Sequence, residues 1–341
     1  MGKKKSRKRV VAFVAAVAVV VVAVVVAVRL YGALSVFSGA EAAWVRIPAG
    51  ASEAQVADSL RSALGDSFGS QVASLWNGNV KASHGAYRIE PGERAWRVAR
   101  KIGQGRQTPV RLTFNNLRTL DRLADNIAAR MEFSPDAFLA AADSIGRRAG
   151  IGDSAELPAM FVPDTYEAYW TDSPAKVVAM LFGYRDRFWT EERRRKADAL
   201  GLTPVKAATL ASIVEEESND ASERPLIARL YLNRLRRGMP LQADPTVKFA
   251  CGDFAARRVT AAMLRKESPY NTYRVKGLPP GPIRIPSKSG IDAVLDAPEH
   301  DWLYMCAKAD FSGRHAFASD FAAHSRNAAA YRRALDERGI K

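Results

Sequence analysis

Cysteine and histidine are scarce in this sequence: its 341 residues hold two cysteines, Cys251 and Cys306, and four histidines, His84, His300, His315 and His324. None of them falls into a zinc-ligand spacing, so neither a metal site nor a cofactor held by such ligands is expected. Cys251 and Cys306 either pair or stay as free or buried thiols, and sequence separation does not decide between these. A second long apolar run is also missing, which excludes more than one membrane span. Residues 44–115 contain no cluster of acid, base or nucleophile, so no chemistry is expected from them alone.

What is present begins with one apolar run. From Val10 to Val28 the chain uses only Val, Ala and Phe, and at ~1.5 Å rise per residue such a helix covers close to ~30 Å of hydrocarbon. Ahead of it stand Lys3, Lys4, Lys5, Arg7, Lys8 and Arg9, a basic flank that stays on the cytoplasmic side. The expected organisation is a cytoplasmic tail over 1–9, a transmembrane helix over 10–30, a connector over 31–43, and the globular mass outside the cytoplasm. That places the protein as a single-pass membrane protein with its N-terminus on the cytoplasmic side. A cleaved signal peptide shares the basic start, but its apolar core usually spans only ~7–15 residues. Met1-Gly2-Lys3-Lys4-Lys5-Ser6 also fits an N-myristoylation pattern.

The formal net charge is +15; setting the six tail cations aside leaves about +9 outside, a bias toward anionic polymers or lipid surfaces. The ~300 residues that remain suffice for two domains. In the first, Arg46-Ile47-Pro48-Ala49-Gly50 is echoed by Arg88-Ile89-Glu90-Pro91-Gly92, then Val56-Ala57 by Val98-Ala99 and Leu60 by Ile102. Each copy reads strand, tight turn, helix, with a capping box at Ser52 and Gln55 in the first. A looser third copy runs from Val110-Arg111-Leu112 into Leu120, Leu123, Ala124 and Ile127. The unit over 44–115 resembles a LysM-like module, a small fold often used on GlcNAc-containing glycans; a spacer without ligand is the alternative.

Helices are expected behind Ser134-Pro135 and Ser173-Pro174, each an N-cap followed by proline in the first turn. Phe161 to Glu167 reads as a turn-rich stretch between them. The charged run Glu191 to Lys196 is expected to end the second helix as a solvated face. Behind Thr203-Pro204 a third helix follows, with Ala207, Leu210, Ala211 and Val214 as its apolar stripe and Glu215-Glu216-Glu217 at its end. Side chains advance ~100° per residue. This rotation turns Glu216 to water and leaves Glu215 and Glu217 at the two borders of the buried surface. A carboxyl there loses hydration and stays protonated nearer neutral pH, as a general acid must.

A helix follows from Ser222-Glu223-Arg224-Pro225, with Leu226, Ile227, Leu230, Tyr231 and Leu235 on one face and Gly238 at its end. Three segments then lack any period and are stiffened by proline: Met239 to Val247, Ser268 to Tyr273, and Gly277 to Ile283. Rigid polar loops facing a helix-borne carboxyl suit a sugar-binding cleft, because aromatic faces pack on pyranose rings and amides pair with hydroxyl and acetamido groups. Ala211-Ser212-Ile213-Val214-Glu215-Glu216-Glu217, Ala221-Ser222-Glu223-Arg224, Asn233-Arg234-Leu235, Leu241 to Val247, Tyr270-Asn271-Thr272-Tyr273 and Gly277 to Ile283 together resemble the YceG/MltG family of endolytic murein transglycosylases. The order of anchor, LysM-like module and C-terminal domain extends the resemblance over nearly the whole chain. Three positions depart from the family pattern, which often has Lys at Glu216, Thr at Ser218 and Thr at Ala243.

The resemblance implies an enzyme, a lytic transglycosylase over 116–341 that needs no cofactor, with Glu215 as catalytic acid and then base. Its carboxyl protonates the oxygen between MurNAc and GlcNAc, then takes the proton of the same MurNAc's 6-hydroxyl as a 1,6-anhydro ring closes. Glu217, Glu223, Gln242, Asp244, Asn271 and Tyr273 are the expected substrate-binding or tuning residues, with helix capping the alternative for Glu223. Implied partners are peptidoglycan strands, the membrane and peptidoglycan synthases, with no nucleic acid. A hydrolase is the nearest rival and needs a second carboxylate, Glu217 or Asp244; a non-catalytic glycan scaffold is another. Last, Asp301 to Cys306 and His315 to Ala318 read as two strands joined through Gly313, followed by a helix from about Asp320. The fold class is therefore α+β, and His315 and His324 are expected to make structural hydrogen bonds.

Overall fold

The computed structural model describes residues 2–256 and 258–339, without the side chains of 2–10. The basic tail's side chains and the Met1 start of the acylation pattern thus lie outside the described residues. The chain mixes helices with three small two-stranded sheets and divides into two compact units, Met1–Arg111 with Glu167–Asp172, and Leu112–Tyr166 with Ser173–Lys341.

The first unit opens with α1 (Gly2–Leu34), a single unbroken helix. Its segment Val11–Leu34 is long and apolar enough to cross a bilayer, and none of it is buried against protein. Then come β1 (Ala43–Ile47), α2 (Glu53–Leu64), α3 (Asp66–Leu75), the single turn α4 (Val80–Ser83), β2 (Gly85–Ile89) and α5 (Ala95–Gly103). β1 and β2 pair antiparallel from Ala43 opposite Ile89 to Ile47 opposite Gly85. The two echoed sequences are these strands with the helices that follow them. Gly50 (φ 70°) and Gly92 (φ 84°) make the turns in a conformation that a Cβ disfavours. Val56 and Leu60 from one copy and Val98 and Ile102 from the other are fully buried in one core with Val45, Ile47, Tyr87 and Ile89. The Ser52–Gln55 capping box is formed.

The second unit contains most of β3 (Val110–Phe114), then α6 (Leu120–Ala128), α7 (Pro135–Arg148), a 3-10 helix (Ser154–Met160), most of β4 (Asp164–Ala168), α8 (Pro174–Phe188) and α9 (Glu191–Ala199). There follow α10 (Pro204–Glu217), α11 (Arg224–Arg236), α12 (Asp244–Cys251), the short α13 (Ala261–Leu264), α14 (Lys288–Leu295), β5 (Tyr304–Ala307), β6 (His315–Ala318) and α15 (Phe321–Glu337). Ser134, Ser173 and Thr203 cap their helices as the sequence implies, and β5 pairs antiparallel with β6.

Four segments differ from expectation. Phe161 to Glu167 is not turn-rich: most of it enters β4, which pairs with β3. The run Glu191 to Lys196 does not end α8. It forms α9, because Thr190 accepts from the Arg193 amide and restarts the chain as a separate helix. Its charges are also partly used, with Arg193 bonded through Nε (2.8 Å) and Nη2 (3.1 Å) to Asp292. The stretch Met239 to Val247 turns helical at Asp244, with Pro245 in the first turn of α12. Finally α14, which the sequence reading passed over, is capped by Ser287 and buries Ile291, Val294 and Leu295.

α10 is the axis of this unit. Every residue from Ala207 to Glu215 is buried, because α14, α11, α12 and the 3-10 helix pack around it. Each fully buried Leu, Ile or Val adds about 1.5–3 kcal/mol of transfer free energy, so Leu210, Ile213 and Val214, all at 0% exposure, fix it firmly. The loop 277–283 crosses the 3-10 helix so closely that a Cβ on Gly281 would lie 1.8 Å from the Ala155 carbonyl oxygen. Gly281→Ala is therefore expected to lower the melting temperature by about 5 °C, as overpacking of about 1–3 kcal/mol does in a unit of this size. Thermal unfolding followed by circular dichroism checks this.

Candidate active site

The three glutamates at the end of α10 meet three different environments. Glu215 is 3% exposed. Its carboxylate accepts the Ser287 amide at 3.1 Å and the Ser287 hydroxyl, and the Arg224 guanidinium lies 3.6 Å away. Gly290 packs directly on it, so that a Cβ there would sit 2.6 Å from the carboxyl carbon. Glu215 thus ties the start of α14 to α10 and is covered on that side. Glu216 does not face water as the rotation argument implied. It accepts from Arg118 at 3.0 Å and from Arg284, and Arg284 also donates to the Asn116 carbonyl at 3.0 Å. A helix with one buried face would leave Glu216 in water, whereas α10 is packed by α11, α12, α14 and the 3-10 helix.

Glu217, the last residue of α10, lines a cavity of about 210 Å³ with Tyr231, Arg234, Gln242, Asp244, Tyr273 and His315. Tyr231, one face of α11, donates to Glu217 Oε1 at 2.6 Å. Burial pushes the Glu217 carboxyl up to about 7; the Tyr231 hydrogen bond opposes this and the charge of Asp244 adds to it. Burial also drives the Tyr231 hydroxyl far above its ordinary value, so Tyr231 acts here as a fixed donor. Tyr273 donates to Asp244 at 2.6 Å.

The cavity wall is rigid. Arg234 is buried, and it donates to the carbonyls of Leu303 (2.6 Å) and Leu241 (2.9 Å) and to Gln242 Oε1 (3.2 Å). Gln242 takes a left-handed backbone (φ 51°), unusual for a residue with a Cβ. Its backbone amide donates to the Thr272 carbonyl at 3.0 Å. The strain of about 1 kcal/mol or more that such a residue stores persists only where its surroundings over-determine it.

Of the expected site residues, Glu217, Gln242, Asp244 and Tyr273 come together around this cavity. Glu215 does not line it. Asn271 is wholly buried and spends its side chain on the Leu264 and Lys266 carbonyls and the Tyr273 amide; it shapes the loop from behind. Glu223 makes no capping bond to α11. It is buried and accepts from the His315 amide (2.8 Å), His315 Nδ1 (3.0 Å) and Ser218 Oγ (3.3 Å). A carboxylate can only accept, so Nδ1 is the donor in this bond. His315 therefore makes the structural bond the sequence implied and also lines the cavity. His324 instead stacks on Tyr304 at 5.4 Å.

Ser287 and Gly290 escaped the sequence reading, although Ser287 three residues before Gly290 and the spacing of Ile291, Val294 and Leu295 announce a capped amphipathic helix. Tyr231 carried no signal beyond its helix face, and Arg234 none beyond its place in Asn233-Arg234-Leu235. Cys251 and Cys306 are free thiols, with Cys306 in the cavity wall. Among the described residues no group of His, Cys, Asp and Glu is placed to hold a metal.

A model of the YceG-like family matches residues 45–330. A Bacillus subtilis protein named endolytic murein transglycosylase is 39% identical over 127 residues, 37% of this chain and 34% of that protein. A Streptococcus pneumoniae protein of the same name is 35% identical over 132 residues, 38% of this chain and 24% of that one. The chain thus aligns with about a third or less of these relatives' length. The crystal structure of a YceG-like protein from Listeria monocytogenes superposes with a TM-score of 0.56 at 26% identity, covering 84% of this chain and 99% of that one.

The environment of Glu217 makes two substitutions act in opposite directions. Tyr231→Phe removes a hydrogen bond to the charged form and should move the carboxyl above about 7, whereas Asp244→Asn removes a neighbouring negative charge and should move it below. Titration of a carbon-13-labelled Glu217 carboxyl by NMR checks both signs. The same shift links to stability. The carboxyl holds its proton in the folded chain above the unfolded value of 4.5, so its stabilising contribution is complete below that pH and is lost as pH rises through about 7.

Proposed function

The chain belongs to the YceG-like family, and from that premise we propose that it is a membrane-anchored lytic transglycosylase of peptidoglycan in which Glu217 carries both proton transfers. The observation that carries this reading is a helix-borne carboxyl raised to about 7 in the wall of a polar cavity lined by two tyrosines, an amide and a histidine.

A general acid works best with a pKa near the ambient pH, because it is then protonated often enough to donate and basic enough to recover a proton. In a glycan strand the Glu217 carboxyl would protonate the oxygen joining MurNAc C1 to the next GlcNAc, breaking that bond. Its conjugate base would then take the proton from the same MurNAc's 6-hydroxyl as that oxygen closes on C1. The products are a GlcNAc end and a 1,6-anhydroMurNAc end, and no water is used. Closure gains from proximity, because the attacking hydroxyl already belongs to the sugar.

Glu215 stood first for this role on resemblance. Its surroundings favour a positioning role instead: both carboxyl oxygens are engaged by Ser287, Arg224 is adjacent, and Gly290 closes the approach. Gln242 and His315 Nε2 are suited to meet sugar hydroxyls and the acetamido group, with Glu223 orienting the histidine. Asp244 is the carboxylate a hydrolase would recruit as base or nucleophile, but it already accepts from Tyr273.

The order β1, α2, α3, the single turn α4, then β2, with β1 and β2 antiparallel, supports a LysM-like, glycan-directed module over 44–115, beside a catalytic domain over 116–341. One helix unbroken to Leu34 supports an uncleaved anchor in the cytoplasmic membrane, with the basic tail inside. Anchoring would confine cleavage to strands near the bilayer, where synthases extend them.

In digests of purified peptidoglycan by the full chain, the wild type should yield ends lighter by one water than hydrolysed ends. Glu217→Gln should lower their rate about 10²–10⁴-fold, the usual loss on removing a general acid or base. Mass spectrometry of the released fragments reads both. Undiminished anhydro ends from Glu217→Gln would overturn the assignment, and ends carrying the extra water would turn the reading to a hydrolase.

A further inference from the structure

The first unit carries a cationic face that the proposed catalysis does not use. α5 buries Ala95, Val98, Ala99 and Ile102 and exposes Trp96, Arg97 and Arg100 on the opposite side. With Lys101, Glu93 and Arg106 these residues border a hollow of about 320 Å³. The nearby acids are already engaged, Glu93 by Lys101 at 2.8 Å and Glu90 by Arg88 at 2.9 Å. Arg94, Arg97, Arg100 and Arg106 are exposed, and the one carboxylate bordering the hollow, Glu93, is taken by Lys101. Arg97 rests 5.3 Å from the Trp96 ring, and Trp96 keeps 37% of its surface in solvent.

The position of this face is fixed by the chain's exit from α1. Directly after Leu34, the Ser35 carbonyl accepts the Ala95 amide at 2.9 Å, Val36 bridges Arg94, and Phe37 exchanges bonds with Glu93 (2.9 Å) and Gly92 (2.8 Å). α5 therefore begins one hydrogen bond from the end of the apolar helix. At ~1.5 Å rise per residue Arg100 lies no more than about 8 Å along α5 from that point, roughly one Debye length at physiological salt. The 24 residues Val11–Leu34 span about 36 Å, more than the ~30 Å of hydrocarbon, so the bilayer surface falls at the last turn of α1. Tyr31, 80% exposed there, and Trp96 are the residue types that collect at membrane interfaces. The segment 35–46 holds one acid, Glu41, too little to neutralise four guanidinium groups.

We infer that the exposed face of α5 is a binding site for anionic phospholipid headgroups of the leaflet from which α1 emerges. The guanidinium groups of Arg94, Arg97, Arg100 and Arg106 take the phosphates and Trp96 enters the interface. The inference rests on the proposed membrane anchor.

The test uses the full chain in phosphatidylcholine liposomes with trace spin-labelled phosphatidylglycerol or spin-labelled phosphatidylcholine. For the wild type the motionally restricted fraction should favour phosphatidylglycerol about 3-fold or more, as basic residues at a bilayer surface do. Arg94→Gln/Arg97→Gln/Arg100→Gln should lower that preference toward the background set by the basic tail, which both proteins share. Arg237→Gln/Arg332→Gln/Arg333→Gln removes equal charge from the second unit and should leave it unchanged. An undiminished preference in the first triple variant, or an equal fall in both, overturns the site. If that variant instead keeps its lipid preference and loses retention on purified peptidoglycan, the face binds glycan and the inference fails. Extraction of the wild type from liposomes by alkaline carbonate would remove the anchor itself, a distinct failure seen before any lipid preference is read.

Discussion

The second unit depends on how α10 disposes of three consecutive carboxylates at its C-terminal end. That end of a helix carries partial negative charge, so glutamates there are opposed by the macrodipole as well as by one another. Burial on all sides adds desolvation. Each carboxylate must therefore find compensation or give up its charge. Glu216 is compensated by Arg118 and Arg284, and Glu215 by Ser287 with Arg224 nearby. Glu217 receives only a neutral tyrosine and holds its proton to about pH 7.

The same compensation builds the site. Ser287 bonds Glu215 and caps α14 with one hydroxyl, so the charge of α10 determines where α14 starts. Arg284 carries the loop before α14 onto Glu216 and Asn116. Ser212, deeper in α10, accepts the Ile283 amide at 3.0 Å. The cleft loops are thus placed by α10, with little conformational freedom left for the segment 283–290. A helix that organises its surroundings by polar bonds at one end leaves its one under-compensated carboxyl facing the cavity.

Local signals in the sequence were sufficient wherever structure is set by neighbours in the chain. The Ser or Thr and proline pairs opened α7, α8 and α10, the echoed strand–turn–helix copies became β1 with α2 and β2 with α5, and the β5–β6 pair formed as spaced. The membrane-length helix followed from composition alone. Failures occurred where distant residues decide. Phe161 to Glu167 reads as a turn until β3 offers it a partner, and the charges of 191–196 look solvated until Asp292 and Asp296 take up Arg193 and Lys196. Asn271 looked like a cleft amide because its carbonyl partners on 264 and 266 belong to an aperiodic segment.

The choice between Glu215 and Glu217 shows the limit most clearly. Helical rotation puts both at the border of the apolar stripe and so ranks neither above the other. What separates them is the class of partner each meets. Glu215 meets the amide and hydroxyl of Ser287 and a glycine that lets α14 close over it; Glu217 meets a tyrosine, a second carboxylate and open cavity. On the proposed reading, two glutamates two positions apart on the same helix divide structural and chemical work. The division is written in residues 231, 244, 287 and 290, at separations that no helical period reports.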